Sequence, residues 1–150
     1  MAGQTETIIS AILRDIETGA LRPGDFIEDA AIMARKAEVV ARLQSVLPDG
    51  AVIHDPQETR AYECDGLVAY KCPPMAAVLP ASTDEVSAVL KVCHEMGVPV
   101  VPRGSGTSLA GGALPTADSV ILGVARLNAV LETDYDNRVI RVQSGRTNLS

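Results

Sequence analysis

A short glycine-rich segment carries the most recognisable chemistry in this sequence. Residues 102–112 read PRGSGTSLAGG, with four glycines and three hydroxyl side chains. Glycine permits backbone conformations that bring N–H groups close to a ligand, and successive N–H groups around a concavity bind anions. The segment follows the apolar run Val98-Pro99-Val100-Val101, which predicts a buried strand. A strand that ends in such a loop indicates a cradle for phosphate.

The spacing of the glycines excludes the two commonest nucleotide-binding loops. A P-loop places Lys and then Ser or Thr directly after its last glycine, whereas Gly111 is followed by Gly112 and Ala113. The dinucleotide fingerprint needs a third glycine three residues after Gly106, and that position is Leu109. A solvent loop that is merely glycine-rich is the alternative, but long loops inside compact domains are commonly functional.

We expect the loop backbone itself to hold the phosphate. Because backbone N–H groups bind phosphate without a cation, Arg103 is either a charge partner of the phosphate or an exposed loop cation. His54 and His94 each lack an orienting partner, so no catalytic and no metal-binding residue is assigned. The predicted cofactor-binding residues of the loop are Arg103, Gly104, Ser105, Gly106, Thr107, Ser108, Gly111 and Gly112.

The loop and its surroundings resemble the FAD-binding domain of the vanillyl-alcohol-oxidase type, also called the PCMH type. The resemblance covers about residues 36–150 and includes the strand before the loop and Ala113-Leu114-Pro115 after it. It is similar in particular to the FAD-linked D subunit of glycolate oxidase and the related D-lactate dehydrogenases. Three further segments carry this likeness: YECDG at 62–66, the helix pattern at 83–97 and RVQSG at 141–145.

The resemblance implies FAD as the cofactor and a small 2-hydroxy acid, such as glycolate or D-lactate, as the substrate of the complete enzyme. Some relatives tether flavin to a His in this loop, and residues 102–112 contain none, so non-covalent binding is implied. Gln143 and Gly145 would meet the cofactor again, an ordinary strand end being the alternative. The family's catalytic residues have no matching positions up to Ser150. We therefore expect these residues alone to be inactive as an oxidase.

Composition and charge narrow the class of protein. The chain has 150 residues, 47% of them hydrophobic, which suffices for one packed domain. A net charge of −6 argues against nucleic acid and anionic membranes as partners. The three cysteines fit no zinc spacing and indicate buried thiols in a reducing compartment. With no targeting segment and no membrane span recognised, a cytoplasmic location is predicted, and the resemblance adds other glycolate oxidase subunits as candidate partners.

Two amphipathic helices are predicted before the main domain, over residues 5–18 and about 28–46. In the second helix, Val39, Leu43 and Val46 form the predicted buried stripe, flanked by Val40 and Leu47.

The predicted division of the chain places a helical N-terminal segment at 1–48 and a partial FAD-binding domain at 49–150, with its core from about residue 70. Residues 8–32 also resemble the opening of GntR-type winged-helix repressors, but no recognition helix follows. An amphipathic leader that packs on the domain is the alternative. A non-catalytic nucleotide-binding or subunit-interaction fragment is a further alternative function for the whole chain.

From residue 76 the pattern alternates between strands and a helix. A strand at 76–79, a helix at 83–96 and a strand at 98–101 predict a parallel βαβ unit. Ser82 and Glu85 form a capping box, and Gly97 ends the helix. The apolar residues that follow helical spacing within it, and form its predicted buried face, are Val86, Val89, Leu90, Cys93 and Met96. Further strands are predicted at 119–122, 127–132 and 139–142, the last two joined by a hairpin turn at 134–137. The predicted class is α+β: N-terminal helices followed by the first half of a PCMH-type domain with a mixed sheet.

Overall fold

A four-stranded sheet with two helices packed on one face is the centre of the described part of the chain. The structure is a computed structural model that describes residues 30–147, with side chains from residue 35 onward. The helices are α1 (Ala30–Gln44), α2 (Pro56–Thr59) and α3 (Thr83–Glu95), and a 3₁₀ turn covers Arg60–Tyr62. The sheet strands are β1 (Val52–Ile53), β2 (Ala76–Val78), β3 (Val100–Arg103) and β4 (Val120–Gly123); a separate hairpin pairs β5 (Val130–Asp134) with β6 (Val139–Val142).

Two sequence predictions fall mainly on residues that lie outside the described range. They are the first helix, at 5–18, and residues 8–29 of the repressor-like segment. The second predicted helix, about 28–46, corresponds to α1.

The sheet order is β1-β2-β4-β3, so β4 lies between the two strands of the predicted βαβ unit. Ala77 and Val101 both pair with Ile121 in parallel registers, which confirms the predicted direction of the strands. β4 is buried along its whole length, as suits a central parallel strand. β3 contains Pro102 and is partly exposed, as suits an edge.

The core lies between the helices and one face of the sheet. Alternate residues of a strand point to the same face, and four of them meet the helices: Ala76, Val78, Val120 and Leu122. Opposite them, the buried helix residues are Val39, Val40, Leu43, Val89, Val92 and Cys93.

Two residues predicted to be buried are exposed. Val46 is 37% exposed, because α1 ends at Gln44 and the helical spacing no longer applies beyond it; Leu47 is buried instead. Leu90 is 45% exposed, since the buried stripe of α3 runs through Val92 on the other side of the helix.

Local hydrogen bonds explain where α3 begins. The Glu85 N–H donates to Ser82 Oγ over 3.2 Å, which confirms Ser82 as the N-cap. The Glu85 carboxylate reaches back as predicted, but it accepts from the N–H of Ala81 over 2.7 Å, one residue before the cap.

The turn that ends α3 shifts the start of the next strand along the chain. Gly97 has a φ of +61°. The N–H groups of Gly97 and Val98 donate to the carbonyls of His94 and Cys93 over 3.1 and 2.8 Å, which is a Schellman motif. Because Val98 completes this motif, β3 begins at Val100 and not at the predicted residue 98.

Replacing Ser82 by alanine tests the cap. Ser82→Ala should lower the free energy of unfolding by about 1 kcal/mol, because the Glu85 N–H loses its acceptor. Urea denaturation followed by circular dichroism measures this. Ser45→Ala is the control. Ser45 is exposed and lies just after the end of α1, where its hydroxyl donates to the Arg42 carbonyl. Equal stability of the Ser82 variant and the wild type would contradict the capping assignment.

The hairpin β5–β6 confirms the predicted hairpin, with its turn at residues 135–138, one residue later than predicted. Its first strand starts at Val130, three residues later than predicted, because Leu127 to Ala129 pair separately with residues 143–145. In the turn, the Asn137 side chain and N–H both donate to the Asp134 carboxylate, and these bonds lower the pKa of Asp134. The exposed apolar side chains of the hairpin are Val130, Leu131, Tyr135, Val139, Ile140 and Val142.

Candidate functional site

A cleft of about 380 Å³ opens at the edge of the sheet where the parallel strands β3 and β4 end. Gly104 and Ser105 directly follow β3, and Ala125 lies two residues after β4. The carboxyl ends of parallel strands are where α/β sheets bind ligands. The remaining residues that line the cleft are Asn128, Ser144, Gly145, Arg146 and Thr147.

A second chain segment forms the opposite wall of the cleft. The Gly145 N–H donates to the Leu127 carbonyl over 2.7 Å, which brings the turn after β6 beside the turn after β4. A Cβ at Gly145 would collide with the Val124 carbonyl and lie 3.0 Å from Leu127 O, so glycine is required for this close approach. The structure therefore places Gly145 in the same cleft as Gly104, and its contact with a cofactor stays a prediction.

Gln143 lies beside the cleft without lining it. Its side-chain oxygen accepts from the Ala129 N–H over 2.9 Å, and its own N–H donates to the Ala129 carbonyl over 2.9 Å. Gln143 thus joins residues 127–129 to the turn that carries Ser144 and Gly145. Its predicted contact with a cofactor stays a prediction.

Arg103 is the last residue of β3, and its side chain turns away from the cleft. Its Nη1 donates to the Cys64 carbonyl over 2.6 Å, and its guanidinium carbon lies 5.7 Å from the centre of the Tyr62 ring. The cation that lines the cleft is Arg146. Arg146 is not among the residues that the sequence predicts to bind a cofactor; its position directly after the turn glycine Gly145 is the available signal.

The glycine loop leaves the cleft after Ser105. Gly106 and Gly111 have φ angles of +70° and +75°, as the glycine-rich pattern predicts, whereas Gly104 has no such angle. Ser108 Oγ accepts from the Ala110 N–H over 3.3 Å within the loop. Six of the predicted loop residues stand outside the cleft lining: Arg103, Gly106, Thr107, Ser108, Gly111 and Gly112.

Asp65 is a buried carboxylate that sequence reasoning missed as a contributor to the loop. Only 3% of it is exposed. Its Oδ1 accepts from the Leu67 N–H over 2.8 Å and its Oδ2 from the Ala113 N–H over 3.4 Å. Ala113 is the residue that follows the glycine loop, so Asp65 ties two distant segments together. No local pattern predicts this, because the two segments are 48 residues apart.

The residues of the cleft suit an anion that carries phosphate. Ser105, Ser144 and Thr147 supply hydroxyls, Arg146 supplies positive charge, and none of the described residues that line the cleft is acidic. A Cβ built on Gly104 would meet nothing within 4 Å, so bare backbone faces open space there. Such donors around exposed backbone fit the diphosphate of a dinucleotide such as FAD.

The thiols and histidines lie elsewhere. Burial raises the pKa of the Cys93 thiol. Burial, and to a smaller extent the negative charge of Asp118, raises the pKa of the Cys72 thiol. Neither thiol is therefore an activated nucleophile. His54 and His94 are exposed and do not line the cleft. Over the described residues, no group of three metal-ligating side chains comes together, and no helix is both long and apolar enough to cross a membrane.

Comparison with known proteins identifies the domain. The FAD binding domain family matches residues 74–149, half of the chain. Glycolate oxidase subunit GlcD of Escherichia coli (strain K12) is 43% identical over 115 residues, which is 77% of this chain and 23% of that protein. D-lactate dehydrogenase of Anaerostipes hadrus is 32% identical over 109 residues, 72% of this chain and 23% of that one. The chain thus spans less than a quarter of the length of these relatives.

The fold is also found in a solved structure. Substrate-bound p-cresol methylhydroxylase superposes with a TM-score of 0.68 and 22% identity, covering 79% of this chain and 23% of that one. This agreement confirms the predicted α+β class with a mixed sheet. The chain belongs to the FAD binding domain family.

Proposed function

We propose that this chain is the part of an FAD-dependent 2-hydroxy-acid oxidoreductase, of the glycolate oxidase or D-lactate dehydrogenase type, that holds the diphosphate of the cofactor. The observation that carries the proposal is the cleft at the carboxyl edge of the sheet, where Gly104 presents open backbone and Arg146 presents positive charge. Because the chain spans under a quarter of its relatives, the activity of the whole enzyme is part of the proposal.

Four residues that line the cleft have a role in this proposal. Gly104 lets the phosphates approach the backbone, and the hydroxyls of Ser105 and Ser144 donate hydrogen bonds from opposite walls. Arg146 offsets part of the phosphate charge. Bound FAD supplies the acceptor for the hydride that leaves the α-carbon of the hydroxy acid. Gly106 and Gly111 give the loop its shape through their left-handed conformations.

The proposal extends to the surroundings of the enzyme. A small 2-hydroxy acid is the substrate, other glycolate oxidase subunits are the partners, and the cytoplasm is the location. The Escherichia coli relative is called a subunit of glycolate oxidase, which supports other subunits as partners. We retain a boundary near residue 48 for the FAD-binding domain proper, with α1 packed against it through Leu43.

Titration with FAD tests the cofactor assignment. The quenching of FAD fluorescence by the purified protein should saturate at one FAD per chain, and ADP should compete, because it carries the same diphosphate. Arg146→Gln and Ser144→Ala should each raise the dissociation constant about tenfold or more, as expected for a lost bond to a charged group. Ser45→Ala, far from the cleft, should leave it unchanged. Absence of saturable binding would refute the proposal.

Substrate dependence tests the activity of the whole enzyme. With FAD bound, the full-length protein should reduce a dye in the presence of glycolate or D-lactate, and L-lactate serves as the stereochemical control. Saturable FAD binding without turnover on either acid would retain the cofactor site and refute the proposed substrate class.

A further inference from the structure

A segment behind the glycine loop contacts it at several points. We call residues Tyr62–Leu67 the clasp. Its central residue, Asp65, is 3% exposed and accepts one N–H from within the clasp and one from Ala113, at the far end of the loop. A buried carboxylate whose two oxygens each bind a backbone N–H fixes the relative position of both segments.

The next residue of the clasp, Gly66, lies against the middle of the loop. A Cβ at Gly66 would come within 2.8 Å of the Ser108 carbonyl oxygen and 3.0 Å of the Thr107 carbonyl oxygen. Both are backbone atoms, so a side chain at this position would displace the loop. Gly66 does not have a left-handed φ, and close packing is therefore the reason for glycine here.

The start of the loop is fastened to the same segment. Arg103 donates to the Cys64 carbonyl and lies over the Tyr62 ring, a cation–π distance. Its guanidinium packs where a Cβ of Gly106 would stand. The clasp thus holds the loop at its beginning through Arg103, in its middle through Gly66 and at its end through Asp65.

We propose that Asp65 is a positioning residue for FAD binding: the clasp it anchors holds the glycine loop in the conformation that places Gly104 and Ser105 in the cleft wall. The inference rests on the proposed function, because it names what sets the affinity of that same site. Asp65 does not line the cleft, so it acts through the loop. Since its oxygens are occupied by N–H groups, it orders the loop while being held away from the phosphates.

Two variants in the full-length protein test this, Asp65→Asn and Gly66→Ala. The first keeps the shape of the side chain but sets an amide NH₂ against a backbone N–H; the second pushes on the loop without changing any charge. Each should raise the FAD dissociation constant about tenfold or more. Ser82→Ala is the control for a loss of stability elsewhere in the fold. It should change the FAD dissociation constant less than twofold, because Ser82 caps α3 and does not line the cleft.

Hydrogen exchange without FAD separates the clasp from the proposed function. The Leu67 and Ala113 amides, which donate to Asp65, should exchange about tenfold faster in Asp65→Asn and at the wild-type rate in Ser82→Ala, while the amides of β4 stay protected in both. Unchanged exchange in Asp65→Asn overturns the clasp. Faster exchange with unchanged FAD affinity overturns the positioning role. A wild-type protein that binds no FAD overturns the proposed function instead, and the exchange result then decides whether the clasp orders the loop.

Discussion

Gly106→Val is expected to abolish the retention of FAD. Gly106 has a φ of +70°, a conformation that costs a β-branched residue about 1–3 kcal/mol. Its side chain would also collide with the Arg103 guanidinium, approaching Nε to 2.8 Å. Since Arg103 fastens the loop to Cys64, moving it displaces Gly104 and Ser105 from the cleft wall. We expect the dissociation constant for FAD to rise at least about a hundredfold, the equivalent of roughly 2.7 kcal/mol.

The control for Gly106→Val carries a similar backbone strain in a different place. Gly50 has a φ of +76° and no atom within 4 Å of a built Cβ, and it does not line the cleft. Gly50→Val should therefore lose stability and keep its flavin. Gel filtration in the presence of FAD, followed by the ratio of flavin to protein absorbance, measures retention. Equal flavin loss in the two variants would attribute the effect to general destabilisation, and full retention by Gly106→Val would refute the assigned role of the loop.

Leu43→Ala should be the most destabilising of the substitutions considered. Leu43 is fully buried between α1 and the rest of the core. Removing its methyl groups should lower the free energy of unfolding by about 2–5 kcal/mol, a large part of the roughly 5–15 kcal/mol typical of a domain. Urea denaturation measures this change, and the m-value of the variant should equal that of the wild type.

The same substitution at an exposed leucine isolates the effect of burial. Leu90 lies on α3 with 45% of its surface exposed, so Leu90→Ala should change the stability by only about 0.5 kcal/mol. A small effect of Leu43→Ala, equal to that of Leu90→Ala, would show that α1 does not pack on this core. It would also remove the support for treating α1 as part of the folded unit.

The sequence predicted α3 well because its signals are local. The cap at Ser82 and the glycine at Gly97 act within one turn of the helix ends, and both are confirmed. The buried face was less well predicted. Leu90 and Val92 are both apolar, and only the packing of the other elements decides which of them is covered.

The order of the strands could not be predicted from local patterns. Pairing β4 between β2 and β3 depends on contacts between residues that are far apart in the chain, such as Val101 with Ile121. The apolar character of β4 was visible and agrees with its central position, but it does not by itself name the neighbours.

The candidate site was predicted in part. The glycine loop and the turn at Gly145 were each singled out, and the structure brings Gly104 and Gly145 together in one cleft. The direction of Arg103 could not be foreseen, because it is set by a carbonyl 39 residues earlier in the chain. For the same reason Asp65, which holds the loop from outside the cleft, carried no signal as a contributor to the site.

The central place of β4 has a consequence for synthesis on the ribosome. β2 and β3 are made first, yet each finds its parallel partner only in Val120–Gly123. Until those residues emerge, β2 has only the two-residue β1 beside it, and β3 has no neighbour among the described strands. A nascent chain at that stage exposes unpaired strand edges, the feature by which incomplete chains aggregate or engage chaperones. During synthesis, the four-stranded sheet therefore completes its pairing only when β4 has emerged.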